Sequence, residues 1–348
     1  MLGRFSIILA GTLLWGQSSQ VPPAAAPAPQ QPGAQAPPIR VQVNEVILPV
    51  TVTDEKGRFV SNLDASDFEI LDEGRRQSIR YFSREQGQPV VVGFLLDLSS
   101  ASRIHWKTYQ EATRELVFAL LPDDQRKKFS GYLITYSTEA EVAVNTTNDS
   151  QIIADKILKL KPGGGAALFD AVYLACTSRK LVQGEPIEPR RVIIVIGDGH
   201  DNASKKTLDE VIELAQRNLN TIYGISTVAF GFNSEGEKNL TRLAEETGGR
   251  VEYPLEGLYK DVSGYLSTPS DEGNYALKVG TGGYAAEIAK GIFRAIANVA
   301  GEVTTQYVIR YVPETGSDGK VFRNIDVRVP RLPGVKIRAR KGYYPAAP

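Results

Sequence analysis

Three stretches of this 348-residue chain place oxygen-bearing side chains directly after apolar runs or at the mouth of a helix. Val91–Leu96 (VVGFLL) is followed by Asp97, Leu98, Ser99, Ser100 and Ala101. Val192–Ile196 (VIIVI) is followed by Gly197, Asp198, Gly199, His200 and Asp201, and the glycine-rich loop Pro162–Ala167 leads into Leu168, Phe169 and Asp170. In an open α/β sheet, ligands bind beyond the carboxyl ends of the strands, near the point where strand order reverses. Binding or catalysis therefore belongs at these side chains. A serine hydrolase using Ser99 with His200 or His105 lacks the G-x-S-x-G elbow. The run Gly163–Gly165 lacks the Lys and Ser/Thr of a phosphate loop. With no second histidine nearby, His200 reads as an exposed loop residue rather than half of a metal pair.

The elements that must position these residues are legible from periodicity. Val91–Leu96, Gly131–Tyr136, Val192–Ile196 and Ile222–Phe230 are near-continuous apolar runs, as expected of strands covered on both faces. Between them lie helical stripes. Tyr109, Ala112, Leu116, Val117 and Leu120 form one, and Leu208, Val211, Ile212, Ala215 and Leu219 form another behind a Thr207-to-Glu210 capping box. A third, around Leu240, Leu243 and Ala244, ends at Gly248-Gly249. Alternating strands and helices predict a doubly wound, mostly parallel α/β sheet, Rossmann-like in outline. Cys176 shares a helical face with Leu168, Ala171, Val172 and Ala175, which predicts a small core hydrophobe rather than a nucleophile.

The motif segments resemble the von Willebrand factor A domain, whose metal-ion-dependent adhesion site uses D-x-S-x-S after the first strand, a Thr in a second loop and an Asp after the fourth strand. More narrowly, the chain is similar to a bacterial subgroup of exported proteins, of acidobacterial type. In that subgroup the domain lies between stretches like VTVTDEKGRFVSNLDASDFEILDEGRRQSI and QYVIRYVP with VKIRARKGYY. The resemblance implies Asp97, Ser99 and Asp198 as ligands of Mg2+ or Mn2+, a hard cation that takes oxygen donors and whose shell an acidic partner residue completes. It implies partner contacts at Ser100, Gly165, His200 and Asp201. Two positions depart from the pattern: Ala101 replaces the second Ser, and Ala166 stands where the Thr would be. Continuing the period-two alternation of the strand points 97, 99 and 101 one way and leaves Ser100 and Ser102 out of the site. The expectation is a degenerate site with weak or absent metal dependence and little thermal response to Mg2+. The implied function is non-enzymatic binding of a protein partner. A haloacid-dehalogenase-like phosphatase with Asp97 as nucleophile is the enzymatic alternative, weakened because Ser99 occupies the general-acid position. A metal-free structural envelope module is the third reading.

Around this core the texture changes. Residues 1–19 have the grammar of a signal peptide, with Arg4 before an apolar run too short to span a bilayer. Residues 20–39 form a Pro/Ala/Gln-rich linker. The expected organisation continues with a β-subdomain at 40–86, the α/β domain at 87–302 and C-terminal strands at 303–348 that pack with the first β-segments. Within the α/β domain an insertion at 254–283 precedes a final helix, Ala285–Ala300. Lys plus Arg and Asp plus Glu both number 40, so no net field recruits nucleic acid. The expected setting is secreted, periplasmic or cell-envelope.

Overall fold

The computed structural model describes residues 45–84, 89–103, 106–123, 129–178, 189–228, 234–255, 281–313 and 319–345. The expected signal peptide, the linker, His105 and most of the 254–283 insertion lie outside these residues. Val43–Pro348 forms one compact unit. No helix among the described residues is long and apolar enough to cross a membrane.

Among the described residues the central sheet has six strands: β5 (Val90–Asp97), β6 (Phe129–Tyr136), β7 (Ala140–Thr147), β8 (Arg190–Gly197), β9 (Asn220–Ser226) and β10 (Val251–Glu252), in the spatial order β10-β9-β8-β5-β6-β7. Neighbours pair in parallel except β7, which runs antiparallel to β6 along one edge. Strand order reverses between β5 and β8, so a crevice forms beyond Asp97 and Gly197. The apolar runs are buried on both faces, as their lack of alternation requires. Val90, Val92, Phe94 and Leu96 pack with α1 (Trp106–Leu120), α2 (Ser150–Leu158) and the long C-terminal helix α6 (Thr281–Thr305). Val91 and Leu95 pack on the other face with α3 (Leu168–Thr177), α4 (Leu208–Arg217) and α5 (Ser234–Glu245).

The Thr207–Glu210 capping box forms as expected, and Gly248 turns the chain after α5 with φ +91°. Cys176 is half-buried against the α3 core, and its sulfur accepts a bond from Asn220 Nδ2 at 3.4 Å. Burial pushes its thiol up to about 12, the state of a packing residue rather than a nucleophile.

Three boundaries differ from the sequence reading. The last helix begins at Thr281 and runs to Thr305, its C-terminal extension following because Val303 continues the buried stripe. The predicted insertion is therefore helical over 281–283. Leu219 lies beyond α4 with φ +54° and packs against the flanking β-unit. The edge strand β7 and helix α2 were not foreseen.

The flanking segments make a second, smaller β-unit of two four-stranded sheets. One is ordered β13 (Lys336–Arg338), β1 (Val46–Thr53), β11 (Tyr307–Tyr311), β4 (Tyr81–Ser83); the other is ordered β14 (Gly342–Tyr343), β12 (Arg323–Arg328), β2 (Glu69–Asp72), β3 (Arg75–Gln77). Leu48, Val50, Ile70, Ile309 and Tyr311 fill their shared core. Glu73 and Gly74, at φ +50° and +75°, close the β2–β3 hairpin with the two left-handed residues of a type I′ turn. At the centre, fully buried Asp72 accepts from the hydroxyls of Tyr311 and Tyr343, each at 2.9 Å, and pairs with Arg323 at 2.6 Å.

A second buried carboxylate joins this unit to the central sheet. Glu302 of α6 accepts from Thr51 of β1 at 3.1 Å and from Tyr223 of β9 at 3.3 Å. Its other oxygen faces Arg250 and Arg338, both at 2.8 Å.

Candidate functional site

The carboxyl edge of the sheet collects side chains from three segments. Asp97 ends β5 and is 1% exposed; its Oδ1 accepts from the backbone N–H of Ser99 at 2.6 Å, the tight loop that a short acidic side chain forms with the chain just ahead of it. Asp198 follows β8, is 7% exposed, and its Oδ1 accepts from the N–H of His200 at 2.9 Å. Tyr136 ends β6, directly paired with Asp97 in the sheet register. Gly197 permits this convergence: a Cβ there would stand 2.4 Å from the Tyr136 hydroxyl and 2.7 Å from Asp97 Cβ.

The glycine-rich loop is stitched to the same edge. Gly163 N–H donates to Leu98 O at 2.6 Å, Ser100 N–H to Gly164 O at 3.1 Å, and Gly164 N–H to Ser100 Oγ at 3.2 Å. Gly165 N–H donates to Thr138 Oγ1 at 3.1 Å, and Ala166 N–H to Asn202 Oδ1 at 2.8 Å.

The residues expected to face a partner divide in two. Ser100 is exposed and His200 half-exposed at the rim, where His200 Nδ1 lies 4.0 Å from Glu235 Oε2. Half-buried Asp201 is committed to the scaffold. It accepts from Phe169 N–H at 2.9 Å and Ser204 Oγ at 2.6 Å, which clips the loop after β8 to the start of α3. Half-buried Gly165 likewise spends its N–H inside the loop.

The backbone after Leu98 departs from the extended path the sequence suggested. Residues Ser100–Arg103 form a 3-10 turn, with Ser102 N–H donating to Ser99 O at 3.2 Å. Alternation therefore stops at Ser99. Ala101 is exposed, whereas Ser102 is 5% exposed, contrary to the expectation that 101 points inward and 102 away.

Among the described residues, four buried oxygens at this edge make no hydrogen bond of standard geometry: Asp97 Oδ2, Ser99 Oγ, Ser102 Oγ and the Tyr136 hydroxyl. Burial pushes the Asp97 carboxyl up to about 6; the Ser99 N–H opposes the shift, the nearby Asp198 charge adds to it, and the Ser99 and Ser102 hydroxyls offset part of it. Burial likewise raises Tyr136 well above the usual phenol range, and the charges of Asp97, Asp198 and Asp201 reinforce it. Buried polar atoms are almost always bonded, so a group of unbonded ones marks a place of strain or ligation.

As a donor set, the carboxylate and hydroxyl oxygens suit a hard cation such as Mg2+ or Mn2+. Among the described residues, no group of three or more His, Cys, Asp or Glu side chains could hold a metal. An ion at this edge would draw on serine hydroxyls as well as Asp97 and Asp198. The signals that sequence reasoning passed over, Ser102 and Tyr136, both depend on which way a side chain turns at the end of a strand.

Residues 92–256 match the family model of the von Willebrand factor type A domain. No curated protein matches the sequence. Among solved structures, proximal thread matrix protein 1 from the mussel byssus, with a zinc-occupied MIDAS motif, is similar at 17% identity and TM-score 0.40, over 49% of this chain and 43% of that one. The vWF domain of the type V pilus tip protein Mfa5 from Porphyromonas gingivalis is similar at 22% identity and TM-score 0.29, over 33% of this chain and 39% of that one. BatB from Bacteroides thetaiotaomicron is similar at 18% identity and TM-score 0.36, over 58% of this chain and 99% of that one. The chain thus spans less than half the length of the mussel and pilus chains it matches. Strand order, helices on both sheet faces and the family match over 92–256 together identify this segment as a von Willebrand factor type A domain, set against a small β-unit built from the sequence on either side.

Proposed function

We propose that this chain is an exported binding protein that docks a protein partner at the carboxyl edge of its central sheet, where Asp97, Ser99 and Asp198 hold a divalent cation of the Mg2+ or Mn2+ class. The observation that carries the reading is the set of buried, unbonded oxygens at the strand-order reversal. When bound, the ion would supply a Lewis-acidic centre for an acidic side chain of the partner. The chain's own part is to present fixed oxygens: Asp97 is oriented by the Ser99 N–H and Asp198 by the His200 N–H. Ser100 and His200 would meet the partner, a reading supported by their accessibility at the rim. Export rests on the N-terminal sequence, and an envelope or secreted setting follows from it.

The phosphatase alternative gains nothing from the site. Ser99 stands two residues after Asp97 where a proton donor is needed, and both carboxylate oxygens of Asp201 are engaged by the 201–204 loop and α3.

The test is thermal unfolding of the full chain with Mn2+ or Mg2+ against EDTA. The degenerate motif alone implies little response to the ion, and the buried unbonded oxygens are what reverse that expectation: native-state ligation at a hundredfold excess over Kd contributes about 2.7 kcal/mol, a rise of several degrees for a domain of this size. Asp97→Ala is expected to abolish the rise. A wild-type Tm that ignores both ions would overturn the cation-dependent reading in favour of a metal-free module.

A further inference from the structure

We propose that Ser102 supplies the hydroxyl that the D-x-S-x-S pattern lost at Ala101, by way of the 3-10 turn that follows Ser99. The inference rests on the cation reading of this site and names a ligand that the motif's register does not contain. In an extended strand, residues two apart share a side. In a 3-10 turn, residues three apart eclipse one another. The Ser102 N–H to Ser99 O bond at 3.2 Å closes such a turn directly behind Ser99, and the turn leaves Ser102 buried near the Asp97 carboxylate and Ala101 exposed. Both serines are nearly inaccessible, at 4% and 5% exposure, and among the described residues neither Oγ makes a hydrogen bond of standard geometry, while both hydroxyls stand close enough to the Asp97 carboxylate to favour its charged form. An exposed serine could satisfy itself with water. Burying two unbonded hydroxyls beside an unbonded carboxylate oxygen is costly unless a common ligand engages them. Three oxygens from one short segment, Asp97 Oδ2, Ser99 Oγ and Ser102 Oγ, then face a hard cation together, with Asp198 approaching from β8. The position left by Ala166 is not refilled in this way, because the neighbouring oxygens Asn202 Oδ1 and Thr138 Oγ1 already accept loop N–H groups. Mg2+ and Mn2+ retain water readily, so one such gap is tolerable.

Calorimetric titration of the full chain with Mn2+ tests this, using wild type, Ser99→Ala, Ser102→Ala, Ser102→Cys and the exposed control Ser100→Ala. Loss of Mn2+ affinity by about tenfold or more in Ser102→Ala, with Ser100→Ala unchanged, is the expected result. The nearly isosteric Ser102→Cys should lose Mn2+ affinity and gain affinity for thiophilic Cd2+ relative to wild type, because a soft donor has entered the shell. A purely structural serine would not produce that exchange of preference. If wild type binds Mn2+ and Ser99→Ala does not, while neither Ser102 variant changes Mn2+ or Cd2+ affinity, the assignment of Ser102 falls and the site reading stands. If wild type binds no Mn2+, both fall.

Discussion

Asp97→Asn separates the electrostatic cost of this site from its ligand chemistry. The substitution keeps a carbonyl oxygen to accept the Ser99 N–H, removes the charge and replaces the unbonded Oδ2 by an amide NH2 of nearly the same size. Burial moves the Asp97 carboxyl from 3.8 to about 6 in the folded protein, which corresponds to about 3 kcal/mol of differential interaction. The folded state therefore binds more protons than the unfolded state between these two values. Wild-type stability falls as pH rises through that window, and the full cost is present above pH 6. In EDTA, denaturant unfolding should find Asp97→Asn more stable than wild type by up to about 3 kcal/mol at pH 7.5. The gap should narrow through pH 6 and close below about pH 4. In saturating Mn2+ the order should reverse, because only the carboxylate gains from the ion. A gap in EDTA that does not vary with pH, or a variant less stable than wild type throughout, would refute the reasoning.

Other perturbations test the scaffold. Glu302→Ala removes the acceptor shared by Arg250, Arg338, Thr51 and Tyr223, and should cost about 3–5 kcal/mol in chemical denaturation, as expected when one partner of a buried ionic cluster is deleted. Asp72→Ala strands the Tyr311 and Tyr343 hydroxyls and Arg323; a loss of about 3 kcal/mol or more, read by equilibrium unfolding, is expected. Gly249→Ala would place a Cβ 1.9 Å from the Ile222 carbonyl oxygen, and a drop in Tm equivalent to about 1–3 kcal/mol or more should follow, since backbone cannot move aside cheaply.

What the sequence revealed and what it concealed follow from range. The strands β5 and β8 were legible because burial on both faces removes polar residues from the run, as in Val90–Leu96 and Val192–Ile196. The capping box at Thr207 was legible because its partners are three residues apart. The edge strand β7 was missed because AEVAVNTT is only half-buried and lacks an unbroken apolar run. Glu302 read as one more charge on a helix, since its partner Thr51 lies 251 residues away. Asp97, Ser99 and Asp198 were nameable from their places after apolar runs and from family spacing. Ser102 is hidden from the sequence because strand alternation, continued past Ser99, runs into a turn at Ser100–Arg103 that no local composition announces.

The most direct test of the central claim is anomalous scattering at the manganese edge from crystals of the full chain soaked in Mn2+. The account predicts a peak within about 2–2.5 Å of oxygens from Asp97 and Ser99, with Asp198 beside it, as hard-cation geometry requires. Density elsewhere on the molecule with none at this edge, under saturating Mn2+, would contradict it.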